Sequence, residues 1–474
     1  MSKKLFILAL DGVPYSTLKL IIADGVMPNL GALVSDENFR PMHSVYPTVS
    51  STAWATFMTG MNPGRHGIYG FIERDPGTME VYIPNAAHLH GQTLWEYLSH
   101  LGKKVFVMNV PCTYPPRKVN GILISGFLGT DITRMTYPPS VGPDLQRREY
   151  RIDADTWRAR EDLEGFVREL HQVYDKRIAV MQEYYLQSER DFCMLHVMET
   201  DRLHHFLWEH RESGHPRWAA VFIDLYRKID RLIGWILDNL KPDMELMLLS
   251  DHGFCTLKKE VFINRWLFDQ GYLRFQNGKT PDDLRTIHPQ SRAYSLIPGR
   301  IYINLRGRES IGSVDPGNAY ERLRAELAKN LADLRDPDTG DKMIEAALTR
   351  EALYLTDIGS PGVKSRIQED TSVSTPPANR LLPPADCFSL APDLQIIPRD
   401  GYDFKGNLWR ERLTEKGPVV GTHTCRDAFV CIPGSVLSGR PISLIDMMPT
   451  ILDLMGVEFP ACLEGRSAVD KDER

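Results

Sequence analysis

Leu5-Phe6-Ile7-Leu8-Ala9-Leu10-Asp11-Gly12 is the stretch on which the fold turns. An unbroken apolar run meets an acidic residue and a glycine. A strand with one wet face alternates apolar and polar side chains, whereas a strand covered on both faces is apolar throughout. The run is too short for the apolar segment of a secretion signal, despite the basic start at Lys3-Lys4. Working outward, similar apolar runs occur at 105–110, 122–124, 192–197 and 246–249. Helix-length segments lie between them; in one, Leu225, Ile229, Leu232, Ile233, Ile236 and Leu240 fall at helical spacing. This alternation predicts an α/β fold: a doubly wound, mostly parallel sheet flanked by helices.

The rhythm breaks between 256 and 385. Arg300-Ile301-Tyr302-Ile303-Asn304 reads as a strand and 318–334 as a charged helix. A Pro-, Ser- and Gly-rich passage follows, from Ser360-Pro361-Gly362 to Pro383-Pro384, with the composition of a surface loop or lid. The sheet pattern resumes at Leu394-Gln395-Ile396-Ile397. The expected organisation is an α/β core from 1–255 and 386–474, interrupted by a cap or lid region at 256–385.

The 474 residues are 42% hydrophobic and 25% charged, an ordinary globular balance. A formal charge of −6 argues against a nucleic-acid polymer as partner. It leaves a small anionic substrate open, because bound cations supply their own positive charge. Seven cysteines are scattered singly with no CxxC pair, which suits reduced thiols and a cytoplasmic location. No stretch approaches the roughly 20 apolar residues of a membrane span.

Chemistry-bearing residues gather where the strands end. Asp11 closes the first run, and Asp251-His252 closes Leu248-Leu249-Ser250. Asp201 follows the run at 192–197 after a short gap, with His205 four residues on, so that both share one helix face. Ligands of open α/β sheets collect at the carboxyl ends of strands. Taken singly, each such Asp reads as a cap or turn residue, and a lone DxxxH reads as a surface pair. His423, in Gly421-Thr422-His423, would draw no comment alone. Together, mixed carboxylate and imidazole donors suit Zn²⁺, with Mn²⁺ the alternative. Hydroxyls crowd Tyr46-Pro47-Thr48-Val49-Ser50-Ser51-Thr52-Ala53-Trp54, where a helix N-terminus offers free N–H groups to a phosphate. Spacing does not choose among Thr48, Ser50, Ser51 and Thr52, and an N-cap reading competes.

These pieces, in this order, resemble the alkaline phosphatase superfamily, in particular its type I phosphodiesterase/nucleotide pyrophosphatase branch. The likeness runs from Leu8-Ala9-Leu10-Asp11-Gly12 through Met27-Pro28-Asn29-Leu30 to Thr59-Gly60-Met61-Asn62-Pro63-Gly64-Arg65-His66-Gly67-Ile68. It continues in Asp201-xxx-His205, Ser250-Asp251-His252-Gly253 and Gly421-Thr422-His423. It ends in Asp446-Met447-Met448-Pro449-Thr450-Ile451-Leu452 and Leu463-Glu464-Gly465-Arg466.

The resemblance implies a hydrolase of phosphodiester or nucleotide pyrophosphate bonds, acting on a small phosphate ester with two divalent metal ions. It places Ser50 at the nucleophile position, implying a phosphoseryl intermediate. Asp201, His205 and His423 would hold one metal; Asp11, Asp251 and His252, with the Ser50 oxygen, would hold the other. Two departures accompany it. The branch usually carries Thr as nucleophile followed by Phe-Pro-Asn-His, where this chain has Ser50-Ser51-Thr52-Ala53-Trp54. It also places an Asn shortly after His-Gly-Ile, where this chain has Phe71. A phosphomonoesterase or phosphomutase of the same superfamily is the alternative reading; a catalytically silent metal-binding protein would have no need of a nucleophile beside six metal ligands. For specificity, the sequence offers Arg292, Arg300, Arg306 and Arg308 as anion contacts and Trp54 as a stacking or core residue.

Overall fold

The computed structural model describes residues 3–129, 131–276, 281–355 and 385–470. Its contacts divide the chain into two compact units. The first comprises Met1–Asn62, Asn85–Thr256 and His423–Arg474; the second comprises Pro63–Pro84 and Leu257–Thr422.

The first unit is built on a nine-stranded sheet. In chain order its strands are β1 (Lys4–Leu10), β2 (Phe39–His43), β3 (Val105–Met108), β4 (Gly121–Ile124), β5 (Thr136–Tyr137), β6 (Phe192–Val197), β7 (Met244–Leu249), β8 (Ala428–Cys431) and β9 (Ile442–Ser443). Across the sheet they run β9-β2-β8-β7-β1-β6-β3-β4-β5. β7, β1, β6, β3 and β4 are mutually parallel, and antiparallel pairings bring in β5 on one side and β8 and β2 on the other. Residues 5–10 of β1 are all buried, as a strand covered on both faces must be.

Three helices matter for the site: α1 (Ser50–Thr59), α2 (Glu199–Glu212) and α3 (Trp218–Asn239). α3 buries Leu225, Ile229, Leu232, Ile233 and Ile236, the stripe that its spacing predicts. Each such side chain contributes about 1.5–3 kcal/mol through removal from water. On the same helix, buried Asp230 accepts N–H bonds from Asn29 and Leu30 at 3.2 and 3.0 Å, which anchors the Met27-Pro28-Asn29-Leu30 segment.

α1 ends at Gly60, whose φ of 62° is left-handed. A Cβ there would lie 2.4 Å from Leu463, and the neighbouring Asn62 donates to Glu464 from its side-chain amide at 2.9 Å. The Thr59-Gly60 and Leu463-Glu464 motifs are therefore two halves of one structural joint.

Two expectations about the second part of the chain need correction. Strand Leu394–Pro398 does not return to the main sheet; it pairs antiparallel with Arg300–Ile303 and Ile344–Thr349 in a separate four-stranded sheet. The chain accordingly rejoins the first unit at His423, whereas 386 was expected. Residues 63–84 form a second departure from the first unit that the sequence did not announce. The Pro-rich passage at 360–384, read as a lid, lies outside the described residues. No described helix is long and apolar enough to cross a membrane.

Candidate metal centre and nucleophile

Register decides what meets at the edge of the sheet. Leu10 pairs with Val197 and Ala9 with Leu249, so β1, β6 and β7 end level with one another. Asp11 leaves β1, Ser250-Asp251-His252 leaves β7, and β6 leads into α2 with Asp201 in its first turn. Gly12 allows the close approach, since its φ is 66° and a Cβ would sit 3.0 Å from the His252 ring.

The seven side chains singled out in the sequence come together in two triangles. Asp201 Oδ1, His205 Nε2 and His423 Nε2 stand 3.1, 3.2 and 3.4 Å from one another. His252 Nε2 lies 3.5 Å from Asp11 Oδ1 and 3.4 Å from Asp251 Oδ2. Ser50 Oγ joins this second group, donating to Asp11 Oδ1 at 3.1 Å and lying 3.4 Å from His252 Nε2. His252 also borders the first triangle, its ring stacked 3.9 Å from that of His423.

Ser50 is the first residue of α1, not its cap, which is Val49. Of its competitors, Thr48 donates to the Val45 carbonyl, and the buried Ser51 and Thr52 hydroxyls have no partner among the described residues. Only Ser50 faces the Asp and His cluster. A similar ambiguity resolves in Asp201-Arg202-Leu203-His204-His205. His204 is enclosed between the Gly12 carbonyl and the Tyr226 hydroxyl, at 2.9 and 2.8 Å, and burial pushes its pKa down to about 3. His205 is the ring that faces Asp201.

The electrostatics show a deficit of positive charge. Burial and the neighbouring charge of Asp11 push Asp251 well above the usual carboxylate range. Burial also opposes ionisation of Asp11, yet hydrogen bonds from His196 and His252 hold it well below that range. For His252, burial disfavours the charge, but Asp251 and Asp11 push its pKa up to about 10. Asp251 Oδ2 is buried with no hydrogen-bond partner among the described residues.

Divalent cations fit this cluster. Bonds of about 2.0–2.1 Å place tetrahedral donors about 3.3–3.4 Å apart, and the edges measured here run from 3.1 to 3.5 Å. Each of two rings is turned to offer Nε2, because Nδ1–H of His252 donates to the Gly253 carbonyl and Nδ1–H of His423 to that of Thr48, at 3.0 and 3.1 Å. Asp251 Oδ2 makes no hydrogen bond among the described residues and has only the His252 ring at 3.4 Å, so a cation would supply the close partner that it lacks.

The profile of the type I phosphodiesterase/nucleotide pyrophosphatase family matches residues 5–425. The chain belongs to that family. Type I phosphodiesterases and nucleotide pyrophosphatases are hydrolases, and this member is an enzyme of that class. Two solved structures share its fold. Murine ectonucleotide pyrophosphatase/phosphodiesterase 5 has 11% identity and a TM-score of 0.56, with 99% of this chain and 100% of that chain covered. Phosphonoacetate hydrolase from Sinorhizobium meliloti 1021, in complex with phosphonoformate, has 15% identity and a TM-score of 0.61, with 96% of each chain covered. No curated protein matches the sequence.

In this member of the phosphodiesterase family, groups that sequence reading missed contact the cluster from behind. Trp54 Nε1 and His196 Nε2 approach Asp11 Oδ2 at 2.9 and 2.8 Å, and the Thr200 hydroxyl donates to the Asp11 carbonyl at 2.6 Å. Arg202 bonds Asp201 Oδ2 at 3.0 Å and also pairs with Asp153. The one available signal was His196 itself, the lone polar residue in the strand Phe192-Cys193-Met194-Leu195-His196-Val197.

The arginines offered for specificity are otherwise engaged. In the second unit, buried Arg300 pairs with Glu73 at 2.7 Å and the partly exposed Arg308 pairs with Asp393 at 2.6 Å. Arg306 pairs with Asp315, and Arg292 lies over the Tyr272 ring.

Proposed function

We propose that this family member hydrolyses a phosphodiester or nucleotide pyrophosphate in a small molecule, through a covalent phosphoseryl intermediate on Ser50. The observation that carries the reading is the place of Ser50 Oγ, 3.1 Å from Asp11 Oδ1 and 3.4 Å from His252 Nε2, the ring that also meets Asp251 Oδ2 at 3.4 Å.

Asp201, His205 and His423 would hold one divalent cation, and Asp11, Asp251 and His252 with Ser50 Oγ the other. Zn²⁺ suits this mixed donor set best and Mn²⁺ is the alternative. When bound, two such ions supply activation of the hydroxyl and neutralisation of charge on the phosphoryl and departing oxygens. The chain's own contribution is position. The Ser50–Asp11 hydrogen bond aims the Oγ lone pairs before substrate arrives. Attack forms the Oγ–P bond and breaks the bond from phosphorus to the leaving oxygen, and the hydroxyl proton passes through solvent to that departing oxygen. Water then attacks the same phosphorus, returns Ser50 to its hydroxyl form and releases the phosphate product. Seven cysteines scattered singly with no CxxC pair favour a reducing compartment, and we place the enzyme in the cytoplasm.

The test pairs metal analysis with two chromogenic esters, bis(p-nitrophenyl) phosphate and p-nitrophenyl phosphate, in wild type and Ser50→Ala. Two ions per chain with Ser50-dependent cleavage of the diester is the expected result. Preference for the monoester would replace the reading with a phosphatase or mutase. Undiminished turnover in Ser50→Ala would remove the covalent intermediate.

A further inference from the structure

We infer that Trp54 and His196 are positioning residues which clamp Asp11 from behind, so that this carboxylate presents a single oxygen to a cation. The inference rests on the two-metal reading above.

Asp11 Oδ2 is enclosed by two nitrogen donors. The indole Nε1 can only donate, which fixes the direction of the Trp54 bond. For His196, Nδ1 is buried without a partner among the described residues. A hydrogen placed there would be an unsatisfied buried donor, so the ring carries it on Nε2, where it bonds Asp11. Both rings are fully buried and meet edge to face, centroids 4.8 Å apart at 83°, so each blocks rotation of the other. The backbone of Asp11 is fixed as well, its N–H bonded to Val197 and its carbonyl to Thr200. With Oδ2 saturated, Oδ1 is left facing Ser50 and His252.

The other two carboxylates follow the same plan with one lock each. Asp201 Oδ2 is held by Arg202 and Asp251 Oδ1 by the Gly12 N–H. In the usual arrangement a carboxylate orients a ligating histidine; here a histidine and an indole orient a ligating carboxylate. The clamp also ties the nucleophile to its metal position, because Trp54 lies one turn after Ser50 on α1.

The experiment titrates chelator-stripped protein with Co²⁺ against a chromophoric competitor and follows the visible Co²⁺ bands. Wild type is compared with Trp54→Phe, His196→Leu and His196→Gln, and Asp251→Asn identifies the ion at the buried triangle. Trp54→Phe and His196→Leu are each expected to weaken that ion by about 10- to 100-fold and to alter its bands. The ion at Asp201, His205 and His423 keeps its affinity. His196→Gln, whose amide N–H reaches nearly to the place of Nε2, restores most of the loss. Wild-type affinity for both ions in Trp54→Phe and His196→Leu overturns the inference. So does an equal loss at both sites with a lowered melting temperature and no recovery in His196→Gln, which marks a merely structural role. Wild-type protein that takes up no Co²⁺ overturns the two-metal reading itself.

Discussion

In the second unit, buried Glu309, Glu73 and Asp393 are answered by Arg74, Arg300 and Arg308 at salt-bridge distances of 2.8, 2.7 and 2.6 Å, the first two arginines buried and Arg308 partly exposed. Arg74 also lies over the Tyr302 ring at 3.8 Å, and Arg308 meets both oxygens of Asp393. In the first unit, Asp11, Asp201 and Asp251 are equally buried and no such set of arginines answers them. Arg202 reaches only the outer oxygen of Asp201, and Asp251 Oδ2 has no hydrogen bond among the described residues, only the His252 ring at 3.4 Å. Both regions carry the cost of removing charge from water. One recovers it within the protein; in the proposed reading the other leaves it for cations to recover. Buried charge that is internally paired holds structure; buried charge left short of a counter-ion marks the chemistry.

The sharpest way to break this contrast is at the nucleophile. Ser50→Ala is expected to lower turnover by about 10⁴-fold or more, with two ions per chain still measured by elemental analysis and an unchanged melting temperature. Loss of fold in that variant would mean that the first unit uses its cluster for structure after all. The opposite experiment removes one partner of a paired charge. Glu309→Gln is expected to destabilise the protein by about 3–5 kcal/mol, read from denaturant unfolding, while metal content stays as in wild type.

The same carboxylate-to-amide change should reverse its sign at the metal centre. In chelator-stripped protein, Asp251→Asn relieves repulsion with Asp11 and is expected to stabilise by about 1–2 kcal/mol, while abolishing uptake of one ion. Destabilisation there would erase the distinction between the two regions. The smallest effect is one of pH. Burial opposes ionisation of Asp393, yet Arg308 outweighs it and holds the carboxyl below its ordinary value. Its contribution to stability is therefore complete at neutral pH and is lost only as pH falls below the unfolded carboxylate pKa of about 4. Unfolding midpoints of Asp393→Asn and wild type should converge at acid pH and separate above it.

Much of the first unit was legible because strand ends and donors are local features. Asp11, Asp251-His252 and the i, i+4 pair Asp201 and His205 each sit within a few residues of the strand that delivers them. What pairs with a strand is not local. Leu394-Gln395-Ile396-Ile397 looks the same whether it lies in the main sheet or against Arg300–Ile303, so its sheet was misassigned. The departure at 63–84 was invisible for the same reason: the ion-pair partners of Glu73 and Arg74 lie more than 200 residues away. Side-chain direction was equally hidden. Nothing in Trp54 as a letter distinguishes an indole that packs from one that also donates to Asp11. His204 and His205 differ by one residue, and only the packing of α2 shows which of them faces Asp201.

His423 is the last donor in chain order, and the whole of the second unit's long segment, Leu257–Thr422, is made before it. Strands β8 and β9 come later still. On the ribosome, where a chain emerges N-terminus first, a product that stops between residues 252 and 423 carries at most six of the seven proposed donors and a triangle with a missing corner. If the proposed site is the catalytic one, this hydrolase closes its chemistry last, and premature termination yields fragments that lack part of it.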